Sequence, residues 1–149
     1  VLSRQMSMTR PERVANSKRI GSTVQAPLTE KPLSAEERDA AVEDLYWATY
    51  LSIVASYAQM FQAIRAVDKE FNLEIIGNLP RIISTFRAGC ILQGAMLEPM
   101  TKAFEADPDI PNLICAFEKE LAAGMQGFRK TCSRLVLGGE AAGVMQASL

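Results

Sequence analysis

The chain has 149 residues, 48% hydrophobic and 22% charged, with a formal charge of −1 and no histidine. That length suits one domain with a core and is short for two, and the near-neutral balance supplies no global field to recruit nucleic acid or an acidic membrane. The missing histidine excludes Ser–His and Cys–His catalysis, histidine-ligated metals and a histidine pH switch.

Residues 1–20 hold five bases (Arg4, Arg10, Arg13, Lys18, Arg19) against the single acid Glu12, a net +4 that leaves −5 for the remainder. The pattern predicts a polar, basic helix over 3–18 with Met6, Val14 and Met8 on its inner side, shortened or kinked at Pro11. Residues 20–33 have two prolines and no periodicity, which predicts a loop. Ser34-Ala35-Glu36-Glu37 then has the form of a capping box, and a helix free of Gly and Pro should run from it to about Asn72.

At 1.5 Å per residue that helix spans roughly 55 Å, against a diameter of about 40 Å for a compact domain of this size. It must overhang, so further chain or a partner has to cover it. Its stretch 45–64 is twenty residues without a charge, the length of a membrane span. Thr49, Ser52, Ser56, Gln59 and Gln62 interrupt the stretch, however, and no basic cluster anchors one side of it. The expectation is a central helix of a larger helical domain or dimer, hidden by protein and not by lipid.

Gly77-Asn78 marks the next joint, with Pro80 in the first turn of a short helix to about Arg87. A second helix is predicted from Cys90 through Phe104, bent or restarted at Pro99 and stopped by Asp107-Pro108. The last long helix should start near Asn112. Leu113, Phe117, Leu121, Met125, Phe128, Cys132 and Leu135 form its apolar stripe, and Glu118 and Glu120 early with Arg129, Lys130 and Arg134 late complement its dipole. Gly138-Gly139 closes it. No segment alternates with period two, so the fold class is all-α.

Chemistry is sparse. Cys90, Cys115 and Cys132 are odd in number and lack a C-x-x-C, which predicts reduced, mostly buried thiols. No dinucleotide fingerprint, P-loop, zinc-protease or EF-hand motif is present. Tyr57 is expected in the core with its hydroxyl satisfied, Gln59 and Gln62 need partners, and Gly89 is expected as a close-packed joint between two helices. Arg87 alone does not make Cys90 reactive. Arg4 could clamp a phosphate through its planar fork, although a solvated arginine is the simpler account. Residue chemistry by itself stops at a helical module, one that could dimerise through 45–64 without being an enzyme.

The strings carry more. Ala55-Ser56-Tyr57-Ala58-Gln59-Met60-Phe61, followed some twenty-five residues later by Thr85-Phe86-Arg87-Ala88-Gly89-Cys90-Ile91-Leu92-Gln93, resembles an ordered motif pair of the 6-phosphogluconate dehydrogenases. The likeness continues through Lys102-Ala103-Phe104-Glu105 and Asn112-Leu113 into the last helix. At the front, Val1-Leu2-Ser3-Arg4-Gln5 with Glu12-Arg13 is similar to an arginine-bearing helix of that family. Nearly the whole chain is covered, except 20–34.

The resemblance implies a cytoplasmic homodimer of the pentose phosphate pathway, which oxidatively decarboxylates 6-phospho-D-gluconate to D-ribulose 5-phosphate and reduces NADP. It implies that 1–149 are part of the helical C-terminal domain. The NADP-binding Rossmann domain would lie upstream and a C-terminal tail downstream. The start without methionine and the end in mid-element fit that expectation. The family's acid and base residues would also lie upstream, so no catalytic, cofactor or metal residue is expected here, no turnover by the chain alone, and no nucleic-acid or membrane partner. One ligand residue carries over: Arg4, on the substrate phosphate. Ser3, where the family often has Ala, and Phe86, where it often has Trp, suggest a divergent branch and leave Arg4 untouched.

Overall fold

The structure, a computed structural model, describes residues 9–20, 33–87 and 89–149. Helix α1 (Arg10–Ile20) starts where Glu12 reaches back. Its carboxylate accepts from the Thr9 backbone N–H at 2.8 Å and from the Thr9 hydroxyl at 2.6 Å, bonds that hold the Glu12 carboxyl below its ordinary range. Pro11 therefore falls in the first turn, where a missing N–H costs nothing, and it opens the helix without kinking it. Val14 is exposed. A lone valine among charged and amide neighbours defines no inner side, and Met6 and Met8 lie outside the described residues.

Helix α2 (Ala35–Phe71) has 37 residues and begins with the expected capping box at Ser34 and Glu37. It ends at Asn72, whose left-handed φ of 51° stops the spiral. Buried Asp68 then turns the chain back, its carboxylate accepting from the backbone N–H groups of Ile75 at 2.7 Å and Ile76 at 3.3 Å. A short 3-10 turn, Ile76–Asn78, leads into α3 (Leu79–Phe86), with Pro80 in its first turn as anticipated.

The helix anticipated from Cys90 does not form there: α4 is Leu97–Ala106, and 90–96 run as turns. Proline explains the boundary. Pro99 is tolerated only in a first turn, which places the start within three residues upstream of it. Gly89 is not the close-packed joint either. A side chain there would meet nothing within 4 Å, and what the glycine supplies is a φ of +81°.

After a 3-10 turn at Leu113–Phe117, capped by Asn112, comes α5 (Glu118–Leu137), whose acidic first turn and basic last turn follow the helix dipole. It closes with paired bonds from Gly139 N–H to Val136 C=O and from Glu140 N–H to Leu135 C=O, Gly139 taking φ +70°. The short α6 (Gly143–Ser148) folds back beside α2. No strand occurs among the described residues, so the all-α class stands.

α2 organises the core twice. Toward its C-terminal half, Val54, Ala58 and Phe61 pack with Leu79, Ile83, Leu97, Met100 and Phe104 from α3 and α4, and with Leu113 and Phe117. Toward its N-terminal half, Ala48 and Leu51 pack with Phe128 and Cys132 of α5. The α-helix starts at Glu118 and not near Asn112, so the first two residues of the expected stripe, Leu113 and Phe117, stand on the 3-10 turn; the stripe is nonetheless buried or half-buried at every position, while Gly124, Gly127 and Thr131 let the two helices approach closely. Asp44 ties the contact, accepting from Arg134 at 2.9 Å with Lys130 at 3.9 Å.

The apolar stretch 45–64 is thus covered on one face only. Across the helix, Leu45, Tyr46 and Ile53 are exposed. No helix among the described residues is long and apolar enough to cross a membrane.

Candidate functional site

Arg4, the substrate-binding residue expected from sequence, lies outside the described residues, as do Ser3 and Gln5. The motif pair lies within them except for Ala88, and the fold brings its two halves together. Tyr57, on α2, donates its hydroxyl to the Leu92 carbonyl at 2.7 Å, and its ring stacks on Phe61 at 6.4 Å. Burial, and then the Cys90 thiol, push the Tyr57 phenol up. The hydroxyl is satisfied as expected, but the ring is half-buried against the edge of the core and not inside it.

Glutamine and arginine side chains on the next turns of α2 reach the loop before the 3-10 turn. Gln62 donates to the Pro111 carbonyl, and Arg65 donates to the carbonyls of Ile110 and Pro111 while its guanidinium sits 5.7 Å from the centre of the Phe104 ring. These polar groups inside an apolar helix thereby pin the 107–112 loop, which carries no helix of its own. Arg87 is taken by Glu98 at 2.7 Å and by Thr101 at 3.3 Å. It is not an activating cation for Cys90, whose sulfur accepts weakly from the Leu92 N–H at 3.5 Å. The Arg87 and Lys102 charges hold the Glu98 carboxyl below its ordinary range, the Arg87 hydrogen bond first among the causes. Of the three free thiols, Cys132 is buried, Cys90 half-buried and Cys115 exposed, so the expectation of mostly buried thiols fails at Cys115. Its place on the outer side of a 3-10 turn explains that. Burial pushes the Cys132 thiol up.

Beside Tyr57 runs a groove of about 580 Å³, floored by α2 and walled by Leu92 on one side and the 141–145 segment on the other. Thr49, Ser52 and Ser56 line its floor, yet each donates its hydroxyl to the carbonyl four residues back, at 2.9, 2.7 and 2.8 Å. Hydroxyls used in this way present little polarity. The groove can take apolar surface, and neither an acid–base pair nor a cation lines it. Among the described residues no cluster of three or more His, Cys, Asp or Glu is placed to hold a metal. Sequence reasoning missed this groove, because its far wall is α6, some ninety residues beyond its floor, and no local pattern links the two.

Comparison with known proteins agrees with the joined motif pair. The family model described as 6-phosphogluconate dehydrogenase, C-terminal domain, matches residues 1–149. The decarboxylating 6-phosphogluconate dehydrogenase of Trypanosoma brucei brucei is 46% identical over 132 residues, covering 87% of this chain and 26% of that protein. The enzymes of the same description from Shigella dysenteriae and Escherichia coli (strain K12) are each 33% identical over 127 residues, 85% of this chain and 26% and 25% of theirs. The chain thus spans about a quarter of the length of the curated relatives it matches. With the family model matched from first residue to last and the motif pair meeting in the fold, the chain belongs to the 6-phosphogluconate dehydrogenase family, in its helical C-terminal domain.

Proposed function

We propose that this chain is the part of a 6-phosphogluconate dehydrogenase that supplies helical scaffold, a dimer contact along α2 and one arginine, Arg4, for the phosphate of the substrate. The whole enzyme, in this reading, oxidatively decarboxylates 6-phospho-D-gluconate to D-ribulose 5-phosphate and reduces NADP, in the cytoplasm and within the pentose phosphate pathway. The observation that carries it is the family match over residues 1–149.

NADP does not fit the groove described here. Its pyrophosphate calls for a glycine-rich turn at a helix N-terminus, and the groove floor is apolar with its hydroxyls already engaged. The reading therefore assigns NADP and the acid–base residues to other parts of the enzyme. Arg4 has a different task. A phosphate carries nearly two negative charges at neutral pH, and a planar guanidinium can meet two of its oxygens at once, which fixes the substrate's far end.

The test uses the full-length enzyme. Arg4→Ala should raise the KM for 6-phosphogluconate by roughly 10- to 100-fold, the equivalent of a charged hydrogen-bond pair, with helical circular dichroism unchanged. An unaltered KM removes Arg4 from the site. The 149-residue chain alone should form no NADPH from 6-phosphogluconate and NADP, and turnover by it would place the chemistry inside this segment.

A further inference from the structure

Helix α6 is seated by one apolar side chain. Met145 packs against Ala48, Leu51, Phe128 and Cys132, and among the described residues no other α6 side chain packs on either core cluster. Val144, the other large apolar residue of α6, is 73% exposed. No side chain caps the start of the helix, and its six residues are too few to persist on backbone bonds alone. Open space flanks it twice. One volume is the groove of about 580 Å³ along Ala141–Met145, and the other, of about 780 Å³, separates Gln146 and Leu149 from Cys132, Ser133 and Val136 of α5. The link from α5 is free to turn, since Gly139, at φ +70°, and Gly143 each face open space.

We infer that Met145 is a reversible, peroxide-sensitive latch: oxidation of its thioether to the sulfoxide releases α6 from α2 and removes the far wall of the groove. Met145 is half-buried, which leaves it open to a small oxidant while it packs on the core. Its sulfur attacks one oxygen of hydrogen peroxide and the O–O bond breaks. The departing hydroxide takes the proton from the transferred oxygen and leaves as water, so the sulfur loses the two electrons that the peroxide gains. A soft apolar group has then become a strong hydrogen-bond acceptor. Ala48, Leu51 and Phe128 offer it no side-chain donor, and the Cys132 thiol only a weak one. Keeping the sulfoxide seated strands a polar oxygen, whereas release of α6 carries it into water.

The other methionines differ in consequence. Met60, Met96 and Met125 are also half-buried, but Met60 and Met125 belong to helices anchored by several buried side chains, and Met96 is followed by buried Leu97 and Met100. An added oxygen there weakens packing without freeing an element. Methionine sulfoxide reductases reverse the change, which makes the latch a switch.

Hydrogen exchange of the full-length enzyme, read by mass spectrometry over 143–148 before and after dilute hydrogen peroxide, tests this. Conversion of Met145 should speed exchange there by about tenfold or more, and methionine sulfoxide reductase should restore the slow rate. Met145→Leu keeps the apolar contact without the sulfur, so its α6 should stay slow at the same dose. Its cysteines meet the same oxidant, which separates thiol chemistry from the latch. Met145→Gln, polar and of similar length, should be fast with no oxidant at all. Met145 that stays reduced while Met60, Met96 and Met125 are converted overturns the latch, as does conversion that leaves 143–148 unchanged. Equal acceleration in the Met145→Leu enzyme, a slow Met145→Gln enzyme, or free exchange of α6 before any oxidant overturns it too. Neither Arg4 nor the dimer contact enters this behaviour of α6.

Discussion

The two faces of α2 are both apolar and both long, yet they differ in what stands opposite. On the filled face, Ala48, Leu51, Val54, Ala58 and Phe61 are buried against α3, α4 and α5. On the open face, Val42, Tyr46, Ile53 and Val67 remain exposed. The filled face differs less in its own composition than in its neighbours: Gly124 and Gly127 of α5 bring the helices close, and the aromatic rings of Phe61 and Phe104 meet edge to face at 5.0 Å. Hydrophobicity makes a helix face available for burial, and the residues of the element opposite decide whether it is filled.

A matched pair of truncations puts the largest number on this difference. Phe61→Ala should cost about 3–5 kcal/mol, since the ring is buried and its neighbours in α4 cannot collapse fully into the hole. Ile53→Ala, in dilute protein, should stay within about 0.5 kcal/mol. Urea denaturation at low concentration measures both. Equal losses would mean that the open face is covered within the monomer, and the contrast would fail.

Gly124→Ala sharpens the contrast by sign. At an exposed helix position this change gains about 1 kcal/mol in propensity. Here the new Cβ would lie 2.4 Å from Cε3 and 2.7 Å from Cδ2 of Trp47, and 3.1 Å from Leu51 Cδ1. The indole is not free to move aside cheaply, because it is set edge-on against Tyr46 at 5.4 Å and Tyr50 at 6.0 Å. Overpacking of about 1–3 kcal/mol should outweigh the propensity gain and leave a net loss on the order of 1 kcal/mol. A rise in the melting temperature would show that the α2–α5 contact has slack.

Local signals were legible in the sequence where they were strong. The capping box put the start of α2 at the right residue, the absence of Gly and Pro predicted its length, and the spacing of four and three in α5 identified the inward side. Pro99 was harder, since the residues before it are apolar enough to pass for helix and only the rule against an interior proline sets the boundary. Gly124 and Gly127 were not legible as contact residues, because a glycine within a helix looks like a weakness until the opposing Trp47 and Asp44 are in place. Of the candidate site, the Tyr57 hydroxyl behaves as its surroundings predicted. The groove depends on α6 returning to α2, which no local pattern encodes, and Arg4 lies outside the described residues.

The smallest expected effect belongs to neither face. Ser34 accepts from the Glu37 N–H at 3.2 Å, and Glu37 accepts from the Ser34 N–H at 2.8 Å, two bonds that satisfy otherwise orphaned donors at the start of α2. Ser34→Ala should cost about 1 kcal/mol. Because the box sits in the first turn, before the exposed apolar residues of α2 begin at Val42, that loss should be the same at every protein concentration. Open-face variants such as Ile53→Arg should by contrast cost more as the concentration rises, since they act through association. Measuring the two variants across a dilution series separates what holds α2 together from what α2 holds on to, and parallel curves would remove the open face from any role in assembly.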